Sequence, residues 1–211
     1  MLAYHNDPQL KKEILQQLQG SSWNVSIEEY ESRFGIPKRL AHLEEQIFDG
    51  LPNAEAKSWP IRFMSAINVG ADLSTVWRDF VIWLLIDPID GVIQYIQPGS
   101  DAHQAILRVA NLYQDGYTQQ QMREAADFAV TAAAASYVAE AAALAAYAAA
   151  DAAADAAYAA YAAAYAADAA LAAYASRAAA RNVAYMKMSN KLIELLENSD
   201  KTRIENASLS Q

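Results

Sequence analysis

Apolar residues recur at steps of three and four through most of the chain, the spacing that places them on one face of a helix. Helix punctuation divides the first half into short segments. Asp7-Pro8 reads as an N-cap followed by proline at the first helical position, and Gly20 closes that helix. Ser26 with Glu29 is a capping box, and Gly35 ends the helix it opens. Pro37 starts the next, with Leu40, Leu43 and Ile47 on one face. A short helix is predicted from Pro60 to Ile67. Asp72 is the expected cap of a helix running to about Ile86, whose Val76, Trp77, Phe80, Val81, Trp83 and Leu84 make it the central helix of an N-terminal core. Asp87-Pro88 stops it. Residues 91–99 read as a connector with room for one helical turn. A helix from Asp101 to about Gln114 then ends at Asp115-Gly116.

The second half follows a different pattern. Thr118 and Gln121 form another capping box, and beyond Gly116 the chain has neither glycine nor proline. Between residues 131 and 180 two of every three residues are alanine, the strongest helix former. An unbroken helix from Thr118 to Glu197 would extend about 120 Å. A compact domain of this length has a radius of gyration of about 17 Å. The tract is therefore expected to fold back, with Asp151 to Asp155 the first candidate for a turn and Ser176 the second, because Asp and Ser can bond their own backbone. A single projecting rod is the alternative.

The residues that interrupt the alanines are ordered. Tyr137, Glu140, Leu144, Tyr147, Asp151, Asp155, Tyr158, Tyr161, Tyr165, Asp168, Leu171 and Tyr174 follow steps of three and four, continuing through Arg177 or Arg181 to Tyr185. They form one stripe on a background of methyl groups, which lets neighbouring helices approach closely. As structure, the tyrosines fill helix seams and the aspartates keep the tract solvated. As function, Tyr147, Asp151, Asp155, Tyr158, Tyr161, Tyr165 and Asp168 are candidate contacts for a partner protein with a basic surface, because tyrosine offers a large, stiff, amphipathic ring. Tyr174, Arg177, Arg181 and Tyr185 are candidate contacts for an anionic ligand.

These patterns predict an all-α fold, a helical bundle in which short N-terminal helices pack on long alanine-rich C-terminal ones. Residues 1–99 are expected to form an N-terminal subdomain, 100–197 the alanine-rich bundle, and 198–211 a polar, flexible tail.

Composition narrows the chemistry. The 211 residues include no cysteine and carry a net charge of −9. Disulfides and thiolate sites are excluded, and the acidity argues against a nucleic-acid partner. Neither a signal peptide nor a membrane span is read, and a cytoplasmic setting is expected. His5, His42 and His103 are scattered, without metal-ligand spacing, and neither a glycine-rich phosphate loop nor a nucleophile motif is present. Asp79, Asp87 and Asp90 near a helix end are the remaining acid–base candidates. No cofactor or metal is expected, and a homo-oligomer is left open.

The segment from Asp101 to Ala126, with Ala105, Ile106, Ala110, Tyr113, Gly116, Thr118, Arg123, Ala125 and Ala126, resembles the alanine-rich immunity proteins of bacterial polymorphic toxin systems. The resemblance extends over roughly residues 101–196. The stretch from Trp59 to Leu85 is similar to uncharacterised phage and prophage proteins. The chain departs from the immunity family in its long N-terminal half and its many tyrosines. The resemblance implies a non-catalytic binding or inhibitory protein, an immunity or phage counter-defence factor. Sequestration of a nucleotide-like small molecule is the alternative. Ice binding is a further one, set back by Thr131 being the only threonine in the tract.

Overall fold

Helix starts and stops fall where side chains can satisfy the amides and carbonyls that a helix leaves unpaired. The computed structural model describes residues 2–20, 25–133 and 178–208. It is all-α, with packed helices. No strand occurs among the described residues, although Leu2 and Asp72 form an isolated antiparallel bridge. The helices are α1 (Pro8–Gly20), α2 (Ile27–Phe34), α3 (Lys38–Gly50), α4 (Asn53–Ala56), α5 (Trp59–Ala66), α6 (Val76–Ile86), α7 (Asp101–Asp115), α8 (Gln119–Ala133) and α9 (Ala178–Ser208). The chain divides into two units, one of Met1–Trp77 with Ser189–Gln211 and one of Arg78–Met188. The boundary expected near residue 99 falls inside the second.

In the first unit the predicted caps are in place. Asp7 accepts from the amide of Gln9 at 2.8 Å and opens α1. At α2 the box is reciprocal: the Glu29 amide donates to the Ser26 hydroxyl and the Ser26 amide to the Glu29 carboxylate. Gly35 stops α2 in the left-handed region, at φ 66°. Ser26→Ala removes one arm of the box and should cost about 1 kcal/mol. Faster hydrogen exchange at the first-turn amides of α2 is the expected result, and unchanged exchange would show that the box does not hold the helix.

α2 packs on α3, and α1 and α3 both pack on α5. Their shared core holds Phe34, Ile36, Leu40, Leu43, Ile47, Trp59 and Phe63, all completely buried. Tyr30 meets Phe34 edge-on, with ring centroids 5.7 Å apart.

The N-terminal segment has a geometry no local pattern announced. Tyr4, His5 and Asn6 all have left-handed backbones, with φ of 53°, 49° and 61°. For residues with a Cβ this conformation costs about 1–2 kcal/mol each. Tertiary contacts hold it. The Ala3 amide donates to the Ala71 carbonyl at 3.0 Å, and the Gly70 amide donates to the Ala3 carbonyl at 2.9 Å. The buried Tyr4 hydroxyl donates to the Met64 carbonyl. Lys11 donates to the carbonyls of Ser65 and Ile67, at 2.8 and 2.7 Å, and so caps the end of α5.

Asp72, read as the cap of the next helix, accepts from the Ser74 amide at 3.0 Å while its backbone bridges to Leu2, and α6 runs from Val76. Two expectations about elements are corrected. One helical turn, α4, precedes the helix expected at Pro60, which itself begins at Trp59. α9 continues to Ser208, so most of the segment expected to be a flexible tail is helical; Leu192 and Leu196 are completely buried and Ser199 nearly so.

In the second unit α7 ends at Gly116, with φ 86°, and the Thr118–Gln121 box opens α8 three residues later. α7 and α8 pack together. Arg108 pairs with Glu124 at 3.7 Å and lies 5.8 Å from the Phe128 ring centre, the pairing of an antiparallel hairpin. Ala105 and Ala110 of α7 and Ala125, Ala126 and Ala129 of α8 are buried. The 91–99 connector contains a single 3-10 turn, Val92–Tyr95.

Candidate functional site

The predicted partner face lies on the alanine tract. Tyr147, Asp151, Asp155, Tyr158, Tyr161, Tyr165, Asp168, Tyr174 and Arg177 fall outside the described residues, as do the candidate turns at Asp151–Asp155 and Ser176. Arg181 belongs to α9 by its backbone. Tyr185, the last tyrosine of the stripe, is 1% exposed and belongs to the core, not to an open ligand face.

What the structure does define is the pair of helices that flank the tract in sequence. On its N-terminal side α8 buries Met122, Ala125, Ala126 and Ala129, one face at helical spacing. On its C-terminal side α9 resumes with Tyr185 and Met188 buried. Both stems belong to the second unit.

Lys187, on the C-terminal stem, pairs with Asp90. That hydrogen bond holds its ammonium pKa above the ordinary value, with smaller support from the charges of Asp90, Tyr95 and Asp87. Asp87 accepts from the amides of Ile89 and Asp90, at 2.9 and 2.8 Å. Asp79 pairs with Arg78 at 2.9 Å. Each of the three carboxylates considered for acid–base chemistry is thus engaged in a turn or an ion pair.

Sequence reasoning passed over Glu44. It sits on α3 among Leu40, Leu43 and Ile47, on the apolar face itself, and is 5% exposed. The Tyr30 hydroxyl, from α2, donates to its carboxylate at 3.3 Å. The Trp59 indole N–H, from α5, donates to its backbone carbonyl at 2.9 Å. Burial is the main cause that pushes the Glu44 carboxyl up to about 8; the Tyr30 hydrogen bond opposes it, and the charges of Glu45 and Asp49 add to it. The available signal was a glutamate inside a run of apolar positions at helical spacing.

The histidines stay apart in role. His5 lies 3.2 Å from the Ser32 carbonyl, His42 lies 3.9 Å from Glu45, and the buried Nδ1 of His103 has no hydrogen-bond partner. Among the described residues no group of three His, Asp or Glu could hold a metal ion, and no helix is long and apolar enough to cross a membrane. No protein-family model matches the chain, and no curated protein or solved structure matches it.

Proposed function

We propose that the chain is a non-catalytic binding protein that engages a partner protein through the tyrosine–aspartate stripe at residues 147–168. The supporting observation lies in the two helices that flank the striped tract in sequence: α8 and the start of α9 each bury residues within the same unit. A face carried between two anchored ends loses less conformational freedom on binding than a free tail. Tyr147, Tyr158, Tyr161 and Tyr165 supply stiff amphipathic rings, and Asp151, Asp155 and Asp168 supply negative charge between them. That combination suits a basic protein surface. The resemblance to immunity proteins gives the proposal its setting, inhibition of a toxin or a defence factor in a bacterial host.

Photo-cross-linking in producing cells tests the reading. A benzophenone amino acid replacing Tyr161 should yield a discrete adduct with a basic protein, whereas the same group at exposed Tyr117, off the tract, should not. Asp151→Asn with Asp155→Asn and Asp168→Asn should weaken the adduct at least tenfold and leave the helical circular dichroism unchanged. Equal labelling from both positions, or an adduct indifferent to the three aspartates, would remove the stripe as the binding face.

A further inference from the structure

Among the described residues Glu44 is the one buried carboxyl, and the proposed binding face makes no use of it. Its surroundings are short of positive charge. From α2 it receives only the neutral Tyr30 hydroxyl. Its own helix adds Glu45 and Asp49, both acidic, and His42 is directed to Glu45. From α5 the nearest structure is Trp59; the Arg62 guanidinium lies over that ring, 6.0 Å from its centre, and is shared between Glu55 and Asn190. Arg33 on α2 pairs with Glu29 along its own helix.

A carboxylate left in such a site with one hydroxyl donor is poorly solvated. It can recover water only where a covering element moves away. α2 is that element, because it carries the Tyr30 donor. It has eight residues, too few to be stable alone, and is delimited by its own cap and by the left-handed Gly35; lifting it exposes Tyr30 and Phe34, so it opens only when solvation of the charged carboxylate offsets that cost. We propose that Glu44 is a proton-operated latch: the neutral carboxyl keeps Tyr30 and α2 seated on α3, and loss of its proton to solvent releases α2.

Two measurements on the full chain test the latch. Carbon-13 titration of the glutamate carboxyls in the wild-type protein reads Glu44 directly and needs no variant. Its midpoint should lie well above those of the exposed glutamates and should fall when Glu45→Gln and Asp49→Asn remove the neighbouring charges. A midpoint in the ordinary carboxylate range overturns the proposal. Hydrogen exchange, corrected for the intrinsic effect of pH, then follows α2. Between pH 6.5 and pH 9 its protection should fall at least tenfold in the wild type and stay constant in Glu44→Gln, with α7 unchanged in both. An equal fall in the two proteins, or one spread evenly over α1, α3 and α5, would also overturn it.

Discussion

Gly35→Ala should be among the most damaging single substitutions in the first unit, costing on the order of 3–5 kcal/mol. Two causes act together. The φ of 66° puts any residue with a Cβ in the left-handed region, at about 1–2 kcal/mol. The added carbon would also sit far inside van der Waals contact of the Leu2 carbonyl oxygen. That oxygen belongs to backbone, and it cannot retreat freely. Leu2 bridges to Asp72, its carbonyl accepts from the His5 amide, and the next residue is bonded to both Gly70 and Ala71. Reduced entropy of the unfolded chain offsets about 0.4–1 kcal/mol of the loss. Gly99→Ala is the control, because its φ of 81° is similar and no atom lies within 4 Å of the added carbon. Gly70→Ala should fall between them, since the atom it meets is the end of the Asn6 side chain, which can move. Thermal unfolding should place Gly35→Ala about 10 °C below wild type. Equivalent losses at Gly35 and Gly99 would mean that the segment from Leu2 to Asn6 is not seated as described.

Local punctuation was legible in the sequence because its physics is local. A capping box needs two side chains three residues apart, and both boxes, at Ser26–Glu29 and Thr118–Gln121, are present. Gly35 and Gly116 each end a helix with positive φ. Features set by distant contacts were not legible. The left-handed run from Tyr4 to Asn6 depends on Met64, Gly70 and Ala71, some sixty residues away; histidine and asparagine enter that region more readily than most residues, but a run of three led by tyrosine needs those distant contacts. The carboxylate of Asp72 accepts from a nearby amide, as its residue type allows, but its backbone bridge to Leu2 joins residues seventy apart. Glu44 was legible in principle. Leu40, Leu43 and Ile47 defined a buried face that also contains position 44, and an acid there has to be buried or has to break the face. The stripe is the opposite case. Its periodicity is plain in the sequence, yet its tyrosines carry the same signal whether they fill a seam or meet a partner. Tyr185 shows that at least its last member is core.

Glu44→Gln should flatten the pH dependence of stability in the first unit, and the sign follows from proton binding. An unfolded glutamate titrates near its ordinary 4.5, whereas the folded group titrates at about 8. Between those values the folded state holds a proton that the unfolded state has released, so stability falls as pH rises. The contribution is complete below the unfolded value and is lost as pH passes through the folded one. At about 1.36 kcal/mol per pH unit, the wild type should lose on the order of 3–5 kcal/mol between pH 5 and pH 9. The loss cannot exceed the cost of opening the site, because an opened chain solvates the carboxylate and titrates normally. The depth of the curve therefore measures how firmly α2 is held. Glutamine reproduces the size of the neutral carboxyl and keeps an oxygen to accept from Tyr30. The variant should match wild type within about 1 kcal/mol at pH 5 and exceed it by several kcal/mol at pH 9. The exposed ion pairs on α2 and α3 contribute too little to hide the difference. The buried Tyr4 hydroxyl, whose pKa burial raises further still, does not ionise in this range. Urea titrations at each pH, read from the exchange of α3 amides, measure the slope. Parallel profiles for the two proteins would place the Glu44 carboxyl in water, against its position among Leu40, Leu43 and Ile47.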